Sequence, residues 1–231
     1  MSLSRSVSLR QFFVVAALGL ASVTCSGMAA ARVYSSGTGR YLFLVWNLLL
    51  AWIPMGAALV AYNARRRWRL RWAVILPWAL LWLLFFPNAP YVVTDLFHLQ
   101  WVDGFPVWYD AIMLAAFAWT SFMLGFTSLH LMHSLVAQAA GKLTGWLFAF
   151  STLGLSAFGI YLGRFLRWNS WDVFLRPAAL LLDVWDRLRH PLSHPRTLAF
   201  STMLTAFLVM TYLILVAFSQ LPQEAHGTVR D

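Results

Sequence analysis

Asp95 and His98 stand three residues apart in Thr94-Asp95-Leu96-Phe97-His98-Leu99, so one helical turn would set them on a common face. A carboxylate beside an imidazole can work as a general acid–base pair, supply half of a metal site, or close an ion pair at a helix end. Spacing leaves all three open. A second polar constellation, Gly163-Arg164-Phe165-Leu166-Arg167-Trp168-Asn169-Ser170-Trp171-Asp172, puts two guanidiniums, an amide, a hydroxyl and a carboxylate within ten residues. Arginines near carboxylates suit recognition of an anionic headgroup or phosphate, with Asp95 or His98 as proton acceptor. The alternative is that Arg164 and Arg167 snorkel, or pair with Asp172 to hold loops together. Asp95, His98 and Asp172 are therefore the candidate catalytic groups. Asn47, Asn88, Tyr91, Arg164, Arg167, Asn169 and Ser170 are the candidate binding groups.

Other motifs offer less. His130 and His133 have helical spacing but no carboxylate nearby, and His190 and His194 only flank prolines. No HExxH, paired CxxC, phosphate-binding glycine loop or nucleophile elbow occurs, so the sequence names no metal site and no cofactor.

The elements that must position these groups are set by composition. The 231 residues are 61% hydrophobic and 11% charged, with a mean hydropathy of +0.68, which excludes a soluble enzyme, a disordered tail and a disulfide-stapled scaffold. The one cysteine, Cys25, reads as a small buried thiol, since Thr24 before it fits a lipidation site poorly. A bilayer core needs about 20 apolar residues per helix. Runs at 12–31, 41–62, 72–93, 111–132, 145–163 and 198–218 supply six, so the expected fold is an all-α polytopic transmembrane bundle, a single membrane domain with a polar tail at 219–231. The first run, 12–31, also carries a signal-like pattern, with Arg5 and Arg10 before it and Ala29-Ala30-Ala31 at its end, and reads as a signal anchor or a cleaved signal.

Arg65, Arg66, Arg67, Arg69 and Arg71 crowd the connector between the second and third runs, which places that connector and both termini on the cytoplasmic side. The nine residues of the connector are too few for a nucleic-acid-binding module, and no nucleic-acid partner is expected. Six of the eight acidic residues, Asp95, Asp103, Asp110, Asp172, Asp183 and Asp186, then fall in two outer segments. Residues 173–190 are too short an apolar run to cross and read as a surface amphipathic helix ended by His190-Pro191, with an apolar face for lipid or for a partner.

The third run is interrupted by Pro87-Asn88-Ala89-Pro90. Each proline removes a backbone donor and pushes its preceding residue toward extended geometry, so irregular backbone is expected there, with Thr94 capping a new turn beyond it. Such backbone survives at membrane depth only when buried in protein or lining a wet cavity. Asn88 can satisfy some of the freed groups. Thr152, Ser156, Gly159 and Gly163 form one small-residue stripe, and Ser121, Gly125 and Ser128 another; Gly159/Gly163 or Gly125 would let backbones approach closely, within one chain or in a helix–helix oligomer. Edge tryptophans such as Trp72, Trp101, Trp108, Trp146, Trp168 and Trp171 read as interface belts.

Three segments carry a family resemblance: Trp46 to Pro54, Phe86 to Leu99, and Gly163 to Asp172. Together they resemble the bacterial integral membrane family known as domain of unknown function 1361, over roughly residues 41–218. The resemblance implies a multi-pass protein of a bacterial cytoplasmic membrane and brings no activity with it. Three functions stay open: an envelope-facing protein whose polar outer pocket binds or modifies an anionic or lipid-linked substrate, a structural or accessory subunit, and a small-solute transporter. Apolar runs whose only charged residues lie at their edges disfavour the last.

Overall fold

Six helices long and apolar enough to cross a membrane order the chain in a computed structural model that describes residues 2–66, 70–99 and 106–220. Arg67, Arg69, Trp101, Asp103 and the tail after Gln220, all singled out above, lie outside the described residues. The elements are α1 (Ser2–Ser36), α2 (Leu42–Arg66), α3 (Trp72–Phe85), α4 (Asn88–Tyr91), a 3-10 segment (Val92–His98), α5 (Val107–Ala140), α6 (Lys142–Leu166), α7 (Asp172–Leu175), α8 (Pro177–Arg189), a 3-10 turn (Pro191–Ser193) and α9 (Pro195–Gln220). No strand occurs among the described residues. Five of the six expected apolar runs lie inside a longer helical stretch, and the second begins one residue before α2; helices run past the apolar ends because backbone hydrogen bonding continues there, as at Arg65 and Arg66 of α2.

α5 is the central element, with 67% of its most apolar window buried against 17% for the first and last spans. It packs on α1, α2, α4, the 3-10 segment and α6, while α9 closes the far side of α6. One apolar cluster joins α2, α3, α5, α6 and α9 around Trp82, Phe86, Phe126 and Tyr212; the other joins α1, α2 and α5 around Tyr41, Leu44, Met113 and Phe117. Gly141, at φ +96°, turns α5 directly into α6, a backbone that side-chain-bearing residues rarely adopt.

The third span departs from expectation in an instructive way. Phe86 stays helical (φ −54°, ψ −40°) instead of turning extended before Pro87, donating its N–H to the Trp82 carbonyl at 2.7 Å and burying its ring 4.9 Å from that of Trp82. In an apolar medium a satisfied donor and a buried ring outweigh the local preference before proline. The chain only turns at Phe86-Pro87, resumes as α4, and tightens into the 3-10 segment. Thr94 is accordingly not a cap: it lies within the 3-10 segment, where its hydroxyl donates to the Tyr91 carbonyl at 2.7 Å. The surface helix is present as α7 and α8, divided at Arg176, and α8 buries no residue.

The glycines of both stripes face this broken helix. A Cβ on Gly125 would lie 2.8 Å from the Ala89 Cβ, and Gly159 and Gly163 abut Pro87 and Tyr91. At these three positions the close approach is made to the broken helix of the same chain.

One buried ion pair was not foreseen. Asp110, read above as part of an outer cluster, sits in the first turn of α5 and accepts from Arg32 of α1, with Nε at 2.6 Å and an Nη at 3.2 Å; both residues are 2% exposed. Tyr109 adds a hydrogen bond to the Met28 carbonyl, and Cys25 is buried against the Thr120 hydroxyl. α1 runs unbroken through Ala29-Ala30-Ala31, and Ala29 is buried. Removing one partner of a buried pair strands the other charge, whereas replacing both with apolar groups is often neutral. Asp110→Asn is expected to cost about 3–5 kcal/mol in reversible unfolding from mixed micelles, and the double replacement Arg32→Met/Asp110→Leu to recover most of that loss.

Candidate functional site

The break in the third span leaves carbonyls without their helical donors, and the polar residues around it collect there. The Asn88 amide donates to the Phe85 carbonyl at 3.0 Å and to the Ser170 hydroxyl at 3.1 Å, and Ser170 donates in turn to the Leu84 carbonyl at 3.3 Å. Two carbonyls beside the break are thus met by one side chain of the broken helix and one from the loop beyond α6.

Behind this lies a buried charge pair. Asp95, 1% exposed in the 3-10 segment, accepts from Arg164 of α6 and, on its other oxygen, from the Asn47 amide of α2 at 2.9 Å. Arg164 also donates to the Thr94 hydroxyl, from Nε at 2.9 Å and from an Nη at 2.6 Å, and lies over the Tyr91 ring with its guanidinium carbon 4.5 Å from the centroid. The pairing of Arg164 with Asp172 raised above is thereby corrected: the 3-10 winding turns Asp95 toward α6, and Asp172 has other partners. His98 lies beside this pair without joining it closely. Its Nδ1 is 3.8 Å from the Asp95 carboxylate and 3.3 Å from the Asp95 carbonyl, its ring rests 5.0 Å from Phe43, and 46% of its side chain is exposed.

Asp172 anchors the loop after α6. It accepts from the Asn169 backbone N–H at 2.8 Å, the Asn169 amide at 3.4 Å and Arg176, one turn on, at 3.1 Å. The Asn169 N–H first, and the Arg176 guanidinium beyond it, hold the carboxyl below its ordinary range even though burial opposes this. Arg176 covers Trp168, whose indole N–H donates to Asp183 at 2.8 Å, tying the loop to α8.

Between these two anchors lies a cavity of about 430 Å³, within the size range of small-molecule sites. Asn47, Asn88, Tyr91, Arg167, Asn169 and Ser170 line it, so six of the candidate binding residues meet around one space. Arg164 stands behind Tyr91, and Asp95, His98 and Asp172 do not line it. Leu50, Leu84 and Ile160 supply apolar floor from three spans, and Leu180 of α8 contributes to the wall. Gly159 to Arg167 covers about 12 Å of rise along α6. Trp46, Trp168 and Trp171 also line the space; they were read above only as belt residues, or within a motif, and adjacency to the asparagines was the signal for them. The Asp172–Arg176 pair was likewise announced by its four-residue spacing.

Arg167 is the one charged lining residue, and among the described residues it has no carboxylate partner. It ends α6 in a left-handed conformation (φ 60°, ψ 31°).

Fold and site together define a polytopic helical membrane protein whose broken third span is pinned to its neighbours by buried polar groups. The sequence matches the family model described as "Protein of unknown function (DUF1361)" over residues 46–211, and the chain belongs to that family. The matched stretch contains every residue that lines the cavity. No curated protein and no solved structure matches the chain.

Because the Asp172 pKa is depressed, its contribution to the loop is present above the unfolded carboxylate value, about 3.9, and is lost only as pH falls through the lower folded value. Amide exchange at Asn169 should therefore stay protected from neutral pH to below that unfolded value and rise only beyond it. In Asp172→Ala the protection should be absent throughout.

Proposed function

We propose that this chain presents its cavity on the outer face of the membrane and binds there the anionic headgroup of an amphiphile. The arginine-rich connector at the opposite ends of α2 and α3 supports that orientation, with both termini inside. The observation that carries the reading is Arg167. A left-handed backbone costs a side-chain-bearing residue about 1–2 kcal/mol relative to glycine, and a guanidinium without a counter-charge on a cavity rim gives that strain a purpose. The apolar floor beneath it suits an acyl or prenyl chain. Asp95 and Asp172 serve this reading as positioning groups: one fixes the wall through Arg164 and Asn47, the other fixes the loop that carries Arg167, Asn169 and Ser170. His98, exposed beside Asp95, is the remaining candidate for proton transfer.

A second reading, an accessory subunit, is favoured by one observation. Leu181, Leu182, Trp185 and Leu188 of α8 are exposed, a face that lipid or a partner chain would cover.

Arg167→Gly separates these readings, since glycine relieves the backbone while removing the charge. In native mass spectrometry of the purified protein, dioleoyl phosphatidylglycerol should bind about tenfold more tightly than dioleoyl phosphatidylcholine, a difference of about 1.4 kcal/mol. Arg167→Gly should abolish that preference while leaving the thermal midpoint unchanged or higher. A lost midpoint with no headgroup preference in the parent protein would favour the accessory subunit.

A further inference from the structure

Three amides line the cavity, and each commits N–H to the protein, Asn88 through both of its N–H groups and Asn47 and Asn169 through one each. Asn47 donates to Asp95, Asn88 to Phe85 and Ser170, and Asn169 to Asp172. The amide oxygens of all three accept no hydrogen bond from any described residue, and those of Asn47 and Asn88 are not sealed in the interior. The cavity therefore offers a set of carbonyl acceptors beside a single guanidinium. A phosphate has no hydrogens to give such acceptors at neutral pH, so an anion alone would leave them unpaired, which is costly once water is displaced. A ligand that fills the space must bring several donors as well as a negative charge.

The aromatic residues narrow the class. Trp46 and Trp171 are 55% and 38% exposed. Indole faces carry negative quadrupole charge, which attracts the polarised C–H faces of a pyranose ring as well as cations. Hydroxyl-rich edges and C–H-rich faces occur together in sugars. Building on the anion-binding reading above, we infer that the ligand is a sugar phosphate, with Arg167 on the phosphate, the Asn88 and Asn169 carbonyls on sugar hydroxyls, and indole surface against the ring. A free sugar phosphate and the headgroup of a glycosylated polyprenyl phosphate share this chemistry.

The test uses the full chain in a detergent without a sugar headgroup, so that the detergent does not compete. Three probes are titrated: a polyprenyl phosphate, the same lipid carrying glucose on its phosphate, and glucose 1-phosphate. The glucosylated lipid is expected to bind about tenfold more tightly than the bare one. Asn169→Ala should reduce that preference, read as the ratio of the two lipid affinities, to about threefold or less; the shorter contact that holds Asp172 is the Asn169 backbone N–H, which the substitution keeps. Asn88→Ser should act in the same direction, and Asn169→Ala stands alone if that variant fails to fold. Glucose 1-phosphate binding as tightly as the glucosylated lipid supports the assignment and makes the ligand soluble; its failure while the lipid binds supports it and makes the ligand membrane-borne. Equal binding of the two lipids, with both still dependent on Arg167, overturns the sugar assignment alone. A glucose preference that survives Asn169→Ala overturns it too. Binding of either lipid that is indifferent to Arg167→Gly overturns the anion site along with it.

Discussion

A carboxylate buried near membrane depth has to be paired, and the Asp95–Arg164 contact is where the chain meets that requirement. It joins the 3-10 end of the third span to α6, two elements between which the whole of α5 intervenes along the chain. Asn47 brings α2 to the same carboxylate, and Thr94 and Tyr91 occupy the rest of the guanidinium. Three spans are thus fixed at one point, and that point stands behind two of the residues that line the cavity.

The backbone has a matching constraint. Two prolines within four residues interrupt the helical ladder where an apolar surrounding offers no replacement, and the Leu84 and Phe85 carbonyls beside the break take side-chain partners. Asn88 and Ser170 provide them, which makes the loop after α6 a structural complement of the broken helix. Gly125 lets α5 come up against Ala89 on the other side. The space that remains lies between Tyr91, Asn88 and the Arg167–Trp171 loop, whose positions are held by separate polar contacts.

Much of this was legible in the sequence. Six apolar runs set the spans, and Pro87-Asn88-Ala89-Pro90 marked the break. Asn47, Asn88 and the Asn169-Ser170 pair were polar residues at ends of runs that the topology brings to one side, and they do line one space. Partner choice was less legible. Arg164 faces Asp95 instead of Asp172 because the 3-10 segment tightens to three residues per turn, a winding that hydropathy does not register. Arg32 and Asp110 looked like ordinary loop charges, since their helices extend beyond the apolar runs that announced them. Phe86 was expected to be extended on local grounds, and a tertiary ring contact overrode them.

The most direct measurement is a double-mutant cycle on Asp95→Asn and Arg164→Gln, read as unfolding free energy in mixed micelles. If this pair fastens the third span to α6, each single substitution should cost about 3–5 kcal/mol and the double far less than their sum, because the second substitution removes a charge that the first has stranded. Losses that simply add would show that the two side chains act independently, and would contradict the account.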